Sequence, residues 1–392
     1  MSVMHLYLSD MGIVNSLGAG KEQVRERLSA ADQSGMLPHG PLLTGRSTTV
    51  ARVREPLPPL AHRFPEFDCR NNRLLAAALD QIAPSVDALR GSVAPERIAV
   101  VIGTSTSGIA SGEEAIAALE ATGRLPAAFH YRQHEIGMTA EFAARYLDLP
   151  GLRYTISTAC SSSAKVFASV RRLFKADRCD AAIVGGADSL CALTLNGFDS
   201  LDSLAQGICN PFSANRSGIN IGEGACVFLM TKTPGPVRLC GVGESSDGYH
   251  MSAPDPDGRG AEIAMRAALR DAGLAAADVG YINLHGTATP KNDEMESHVI
   301  ARLFGVDVPC GSTKALIGHT LGAAGAHELG VCWLLLAGGD RRLPRHVWDG
   351  VRDPRLPPIN LLDHGVRWER DAFVSNSFAF GGSNTSVVIG RT

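Results

Sequence analysis

Four short segments of the chain hold side chains that can act as nucleophiles, acids or bases. They are ISTACSSSAKVF (Ile156–Phe167) with Cys160, HGTATPKND (His285–Asp293) with His285, STKALIGHTLGAAGAHE (Ser312–Glu328) with Lys314, His319 and Glu328, and the glycine-rich NSFAFGGSN (Asn376–Asn384). Functional side chains of α/β proteins collect at the carboxyl ends of strands, and Cys160 and His285 directly follow predicted strands. We therefore expect these segments to meet in one site.

Cys160 lies at the junction of a predicted strand and a predicted helix. Leu152–Ile156 is β-branched and aromatic, whereas Ser161–Ala176 has apolar residues at helical spacing. A cysteine at a helix N-terminus meets unpaired backbone N–H groups and the positive end of the helix dipole, which favour the thiolate. The alternative, for any one of the nine cysteines, is a small buried apolar residue.

The other candidate side chains also have ordinary structural explanations. A histidine, one of twelve here, often pairs with backbone groups inside a core. Lys314 can be a solvated surface charge, and Glu328 can complement the dipole of an apolar helix. The glycine-rich segment can be a hairpin whose glycines take positive φ, and it gives no support for phosphate binding.

Composition places the chain among globular proteins and argues against several function classes. At 392 residues it is too long for one core of ordinary size, and the turn-rich Thr231–Pro236 predicts a boundary between halves 1–235 and 236–392. A net charge of −3 without a basic block argues against nucleic-acid binding. The chain has no apolar run long enough for a membrane span and no pattern of a signal peptide. The nine cysteines form no CxxC pair, which argues against zinc and disulfides and fits a cytoplasmic protein.

Strand-like and helix-like segments alternate along both halves, which predicts an α/β architecture with buried sheets. The predicted strands are Val3–Tyr7, which is followed by a predicted turn at Gly12–Val14, and Ile98–Ile102, Leu152–Ile156, Cys179–Gly185, Gly224–Thr231, Val237–Val242, Val279–Leu284, Phe373–Phe378 and Thr385–Ile389. The predicted helices are Lys21–Ala30, Arg70–Ile82, Glu113–Glu120, Ser161–Ala176, Ala261–Ala272, Glu294–Phe304 and Leu321–Ala337. Residues 31–66 are predicted to be irregular. Each half closes with a strand, a glycine-rich stretch and another strand, which suggests an internal duplication.

Taken together, the four segments resemble the β-ketoacyl-acyl-carrier-protein synthases of the type I/II class, which belong to the thiolase-like superfamily. TACSSS is similar to that family's nucleophile motif, and HGTATPKND and STKALIGHTLGAAG are similar to its two histidine motifs. The resemblance covers essentially the whole chain, including NPFSANRSGINIGEGA (Asn210–Ala225). It implies a thiolase-like α/β fold with duplicated βαβαβ halves in a layered α-β-α-β-α arrangement. The nucleophile then lies in the first half and the histidines in the second.

The resemblance also implies a decarboxylative Claisen condensation. An acyl chain is held on the active-site cysteine, and a malonyl carrier loses CO2 and attacks it, which gives a 3-oxoacyl carrier, CO2 and free carrier. The implied roles are oxyanion binding by backbone N–H groups of Cys160 and Phe380, enolate stabilisation by His285 and His319, positioning of the histidines by Lys314 and Glu328, pantetheine binding by Thr287 and Thr289, and further substrate-site positions at Asp293 and Thr106. No metal or other cofactor is implied, because phosphopantetheine carries the substrates.

The implied partners are an acyl carrier protein and a second ketosynthase-like chain. Carriers are acidic in related systems, so a basic rim is expected around the channel, with Arg70 and Arg73 as first candidates and Arg171, Arg172 and Lys175 as others. An ordinary solvated helix face is the alternative explanation for these side chains. Related enzymes dimerise, and the second chain is either another copy or a chain-length-factor-like paralogue.

Three positions depart from the pattern of fatty-acid-elongating relatives. Ala288 stands where serine or glycine is common, and Lys291 adds a charge near the channel entrance. Thr106 aligns with a position that is often bulky and apolar and gates the acyl pocket, which indicates a different acyl chain. The sequence of Tyr154–Leu190 resembles that of ketosynthases from bacterial aryl-polyene or related polyene pathways more than that of housekeeping enzymes.

Four other functions fit part of the pattern. A CoA-dependent thiolase uses a second cysteine near the C-terminus, and no cysteine follows Cys332. A ketosynthase of the initiating class pairs its cysteine with histidine and asparagine, and a cysteine hydrolase leaves His319 and Lys314 without a purpose. A chain-length-factor subunit, which does not elongate, lacks the nucleophile, whereas Cys160 and both histidines are present here.

Overall fold

The computed structural model of the protein describes residues 4–363 and 365–392, so Val3 of the first predicted strand lies outside the described residues. The strands are β1 (Leu6–Asn15), β2 (Gly18–Ala19), β3 (Met36–His39), β4 (Thr48–Ala51), β5 (Ile98–Gly103), β6 (Arg153–Ile156), β7 (Ala181–Asp188), β8 (Gly224–Thr231), β9 (Val237–Ser246), β10 (Val279–Asn283), β11 (Cys310–Gly311), β12 (Ala372–Ala379) and β13 (Ser383–Arg391). The helices are α1 (Lys21–Ser29), α2 (Arg70–Leu89), α3 (Ile109–Thr122), α4 (Tyr131–His134), α5 (Met138–Tyr146), α6 (Ser162–Lys175), α7 (Ala192–Ser200), α8 (Arg259–Ala272), α9 (Pro290–Phe304), α10 (Lys314–Ile317) and α11 (Ala324–Ala337).

The main sheet has eleven strands, which are two five-stranded halves with the same strand pattern and the short β2, paired with β1. The order is β6-β5-β7-β8-β1 in one half and β11-β10-β12-β13-β9 in the other. In each half the first three strands are parallel and the last two are antiparallel to their neighbours. The halves join where β1 pairs with β9. This repeated pattern confirms the predicted duplication, whereas the division of the chain at residue 235 stays a prediction.

Three apolar cores separate five layers of secondary structure. The central core lies between the sheet halves and contains α6 and α11, with Phe167 and Leu329 among its buried residues. A second core packs α2 and α5 against the outer face of the first half, and a third packs α8 and α9 against the second half. Because sheets cover α11 on both sides, all its residues except Ala337 are buried, which explains its uniformly apolar sequence. The layered α-β-α-β-α arrangement is therefore confirmed.

Several elements differ in extent from their sequence patterns. Helix α2 continues through Pro84 to Leu89, because its apolar face continues at Ile82 and Val86. Residues 321–323 form a 3₁₀ turn, so α11 begins only at Ala324. Residues 31–66, predicted to be irregular, contain the paired strands β3 and β4. The short helices α5 and α7 were not evident from periodicity. Within the described part of the chain, no helix is both long and apolar enough to cross a bilayer.

Candidate active site

Cys160 is held on a tight turn directly before α6. The preceding Ala159 has a φ of +50°, in the left-handed region that is unfavourable for residues other than glycine. The hydroxyl of Ser162 donates to the Ala159 carbonyl at 2.5 Å, and the Ser162 hydroxyl oxygen accepts the Thr158 N–H at 2.9 Å. The first turn of α6 therefore fixes the strained backbone that presents the thiol.

The thiol meets two histidines brought by the second half of the sheet. His285 follows β10, and His319 lies between α10 and the 3₁₀ turn that precedes α11. The Sγ atom of Cys160 lies 2.9 Å from Nε2 of His319, and the two imidazole rings are 5.4 Å apart. The three donor atoms all lie within 4.8 Å of one another. A sulfur and two imidazole nitrogens thus converge on one point.

These groups line a cavity of about 290 Å³ that reaches exposed residues at its rim. Phe380 lies in the turn between β12 and β13, where Gly381 and Gly382 take φ of +80° and +74°, and it packs against Phe198. Its backbone N–H lowers the pKa of the Cys160 thiol. The remaining lining includes Thr287, Thr289, Lys291, Asn292, Phe378 and Asn384. The hydroxyls of Thr287 and Thr289 hydrogen bond to each other at 2.9 Å.

Burial keeps the three reacting side chains neutral at rest. It raises the pKa of the Cys160 thiol to about 12, against the weaker opposing effects of Lys314 and the Phe380 N–H. Burial, assisted by the charge of Lys314, holds the pKa of His285 and of His319 well below the usual value. The thiolate expected from the helix N-terminus is therefore wrong for the free site, because burial outweighs the opposing effects of Lys314 and the Phe380 N–H.

Lys314 and Glu328 form a buried ion pair behind the histidines. Lys314 Nζ contacts Glu328 Oε1 and also donates to the carbonyl oxygen of His285 at 2.5 Å. Both side chains are almost fully buried. Burial raises the pKa of Glu328 to about 7, while Lys314 opposes the shift. The pair thus anchors the backbone of His285 rather than its ring.

Glu296 is a second anchor of the same loop, and the sequence motifs did not point to it. Its carboxylate oxygens accept the backbone N–H groups of His285 at 2.8 Å and Gly286 at 2.7 Å. Glu296 lies three residues after Asp293, and this spacing, which puts two acids on one helix face, is the sequence signal that could have found it.

Two family models match this chain, and their ranges include Cys160, His285 and His319. Residues 70–234 match the model of the β-ketoacyl synthase N-terminal domain, and residues 237–345 match that of the C-terminal domain. The chain belongs to the β-ketoacyl synthase family. It is accordingly an acyltransferase that elongates acyl chains by decarboxylative condensation.

Named relatives agree with this family assignment. This chain is 32% identical over 327 residues to 3-oxoacyl-[acyl-carrier-protein] synthase 2 of Coxiella burnetii, and the match covers 75% of each chain. A ketosynthase, ApeO, solved in complex with its chain length factor, ApeC, from Xenorhabdus doucetiae matches with a TM-score of 0.95 and 46% identity over 99% of this chain and 98% of that one. The ishigamide ketosynthase/chain length factor matches with a TM-score of 0.89 and 25% identity over the full length of both. The thiolase-like fold of the ketosynthase is thereby confirmed.

Two of the expected substrate-site residues lie outside the cavity lining. The buried hydroxyl of Thr106 donates to Asp188 at 2.7 Å and accepts the Ser189 N–H at 3.0 Å. The buried carboxylate of Asp293 accepts the backbone N–H groups of Phe212 at 2.7 Å and Ala288 at 3.2 Å, and burial raises its pKa to about 6. Asp293 thus holds the loop whose Thr287 and Thr289 line the cavity, whereas Thr106 joins the segments that follow β5 and β7.

The arginines considered for carrier binding are engaged in ion pairs. Arg70 donates to the buried carboxylate of Glu223 from Nη2 at 2.5 Å and from Nε at 2.7 Å, and Arg73 pairs with Asp68 at 2.6 Å. Arg171 pairs with Asp271, and Arg172 pairs with Glu244. Lys291, by contrast, is an exposed cation in the cavity rim itself.

Alkylation of Cys160 should become faster with every step in pH. Because burial raises the thiol pKa to about 12, the reactive thiolate is a small fraction that grows about tenfold per pH unit below that value. We expect the rate of iodoacetamide modification, followed by peptide mass spectrometry, to rise throughout pH 6–9. The Cys160→Ala variant identifies the modified site, and a rate that is already constant at pH 7 would contradict the neutral thiol.

Proposed function

We propose that Cys160 receives the acyl chain from an acyl carrier protein and that His285 and His319 promote loss of CO2 from a malonyl carrier. The observation that carries this assignment is the convergence of Sγ and two imidazole nitrogens within 4.8 Å in one accessible cavity. A hydrolase needs only one of these histidines. Two neutral imidazoles are suited to hydrogen bond the oxygen of an enolate.

In the first step the thiol attacks the carbonyl carbon of the carrier thioester. Nε2 of His319, 2.9 Å from the sulfur, takes the thiol proton and passes it to the departing carrier sulfur. The developing oxyanion accepts the backbone N–H groups of Cys160 and Phe380. Acyl transfer then leaves the chain on Cys160 and a free carrier thiol.

In the second step the malonyl thioester oxygen lies against both rings. The Nδ1 atoms of His285 and His319 have no hydrogen-bond partner among the described residues, so no neighbour fixes either tautomer and both Nε2 atoms can carry the proton. Loss of CO2 leaves an enolate whose carbon attacks the acyl thioester. Collapse of the resulting alkoxide expels the Cys160 thiolate, which regains a proton from water in the channel.

Removing one enolate donor should separate the two half-reactions. For His285→Ala we expect decarboxylation of the malonyl carrier to fall about 10²- to 10³-fold, the usual loss for one oxyanion donor. Acylation of Cys160 should remain near the wild-type rate, because His319 is still beside the sulfur. Release of labelled CO2 and intact mass of the acyl-enzyme measure the two steps. Equal losses in both steps would contradict the division of roles.

The starter and the second subunit are proposed from the relatives. The identity of 46% to ApeO, solved in complex with its chain length factor, supports an aryl-polyene or related polyene starter and a heterodimer with such a paralogue. Several large apolar side chains are exposed on one region of the first half, and they include Leu43, Ile116 and Leu193 beside a depression of about 440 Å³. A subunit covering that region would remove them from water. Phosphopantetheine carries both substrates in this scheme, without a metal or other cofactor.

The nine cysteines are all free thiols, which supports a cytoplasmic location for the enzyme.

The proposed second subunit and the proposed starter can be tested in one experiment. The chain is incubated, alone and with a coexpressed chain-length-factor paralogue, with malonyl carrier and a panel of saturated, aryl and polyenoyl carriers. Two-carbon extension of aryl or polyenoyl starters only in the heterodimer supports the proposal. Free elongation of long saturated chains by the chain alone would replace it with a housekeeping role.

A further inference from the structure

Asp188 is a fully buried carboxylate at the end of β7 that the scheme above leaves without a role. It follows the apolar run of the strand and lies behind the turns that carry Cys160 and His319. Burial of a carboxylate costs free energy that an apolar or amide side chain would avoid. Its contacts therefore indicate what it is needed for.

One oxygen of this carboxylate binds the loop that follows β5. Oδ1 of Asp188 accepts the backbone N–H of Ser105 at 2.8 Å and that of Thr106 at 2.7 Å. It also accepts the hydroxyls of Thr104 and Thr106, each at 2.7 Å. These bonds favour the ionised form, although burial, the larger effect, raises the pKa. The loop is thereby fixed at both backbone and side-chain level.

The other oxygen binds an element of the second half of the chain. Oδ2 accepts the backbone N–H of Ala323 at 2.9 Å, in the 3₁₀ turn that begins two residues after His319. Leu321 in this turn has a φ of +49°, so its backbone is strained and depends on its surroundings. A Cβ atom at Gly322 would lie 2.7 Å from the Ser105 nitrogen and 2.8 Å from Asp188 Oδ2. The turn therefore packs directly against the carboxylate.

The bound loop also reaches the nucleophile. The hydroxyl of Ser105 donates to the carbonyl oxygen of Ala159 at 3.3 Å, and Ala159 is the strained residue directly before Cys160. One carboxylate thus connects, through Ser105, to the turn of the thiol and, through Ala323, to the turn of the imidazole.

We propose that Asp188 is a positioning residue, which ties the Cys160 turn to the His319 turn and thereby sets the approach of sulfur and imidazole nitrogen. This inference rests on the proposed roles of those two side chains. Misplacement of reacting groups by about 1 Å costs about 10²-fold in rate, so such a connection matters to catalysis even though Asp188 touches no substrate.

The sharpest variant is Asp188→Asn, which keeps the side-chain volume. Its oxygen can still accept the loop N–H groups, but its NH2 group then faces the Ala323 N–H, so the contact with the His319 turn becomes donor against donor. We expect kcat for condensation to fall about 10- to 100-fold, with KM for either carrier changed less than about threefold. Asp353→Asn is the matched control, because it alters another buried carboxylate, paired with Arg216, that does not line the active-site cavity.

Ser105→Ala tests the connection to the nucleophile alone. It removes the hydroxyl that bonds Ala159 but leaves the Ser105 N–H on Asp188. We expect slower acylation of Cys160 and an unchanged rate of malonyl decarboxylation, measured on protein with wild-type circular dichroism. Raising the carrier concentration should not restore kcat in this variant.

The outcomes distinguish this proposal from the proposed function. A folded Asp188→Asn protein with kcat within about twofold of wild type, or an equal loss in Asp353→Asn, overturns the positioning role. If Asp188→Asn does not fold, wild-type acylation by Ser105→Ala overturns it instead. Failure of the wild-type enzyme itself to acylate Cys160 counts against the proposed function.

Discussion

Replacing Cys160 with alanine is expected to abolish acyl capture and chain elongation while leaving decarboxylation of the malonyl carrier. The sulfur is the one group in the cavity placed to form the acyl thioester, 2.9 Å from the Nε2 atom that can take its proton. Loss of a nucleophile of this kind lowers kcat by about 10⁴-fold or more. His285 remains anchored by Lys314 and Glu296, and the backbone N–H of His319 still donates to the Asn220 carbonyl, so the enolate-forming half of the site should persist.

Two measurements on the Cys160→Ala enzyme check this expectation. Intact mass spectrometry should show no acyl adduct on the enzyme and no lengthened chain on the carrier, and a CO2 assay should show continued decarboxylation. The eight other cysteines serve as internal controls for nonspecific acylation. Elongation by the alanine variant at more than about a hundredth of the wild-type rate would rule out the assigned nucleophile.

Replacing Lys314 with methionine is expected to destabilise the protein by about 3–5 kcal/mol, because it leaves the buried carboxylate of Glu328 without its partner. The variant also lacks the hydrogen bond from Lys314 to the His285 carbonyl, so the loop that carries His285 should become less ordered as well. Burial already raises the pKa of Glu328 to about 7, and removal of the lysine charge raises it further. The variant should therefore take up a proton on Glu328 near neutral pH.

Urea denaturation of Lys314→Met, of the double variant Lys314→Met/Glu328→Gln and of Arg266→Met separates the buried pair from a surface pair. The double variant should recover part of the loss, because no charge is then left buried. Arg266 pairs with the partly exposed Glu262 one turn away, so its loss should cost less than about 1 kcal/mol. A loss below 1 kcal/mol for Lys314→Met would contradict the buried ion pair.

The sequence was sufficient where a functional residue follows an unambiguous strand. The apolar runs that became β10 and β12 placed His285 and the Phe380 turn, and the junction before α6 placed Cys160. Alternation of strands and helices also predicted the duplicated α/β fold. These features depend on local periodicity and on the rule that sites lie at strand ends, both of which can be read along the chain.

Other features depend on contacts between distant segments, which periodicity does not report. From the sequence Arg70 was a candidate surface cation, whereas in the structure it pairs with the buried Glu223, which is 153 residues away in the chain. Thr106 was expected to face the acyl chain, but its hydroxyl is used by Asp188. The raised pKa of the Cys160 thiol results from burial between both halves of the chain. Asp188 lies three residues after the predicted strand Cys179–Gly185, so the strand-end rule could have selected it.

The most direct test of the central claim follows the acyl group through both steps. The enzyme, with its paralogue, is incubated first with acyl carrier alone, and the acylated peptide is identified by mass spectrometry. Malonyl carrier is then added, and the mass of the carrier-bound product is measured by mass spectrometry. We predict an acyl group on Cys160 that disappears as a 3-oxoacyl carrier two carbons longer is formed. An acyl group on another residue, or its release as a free acid without extension, would contradict decarboxylative condensation at this site.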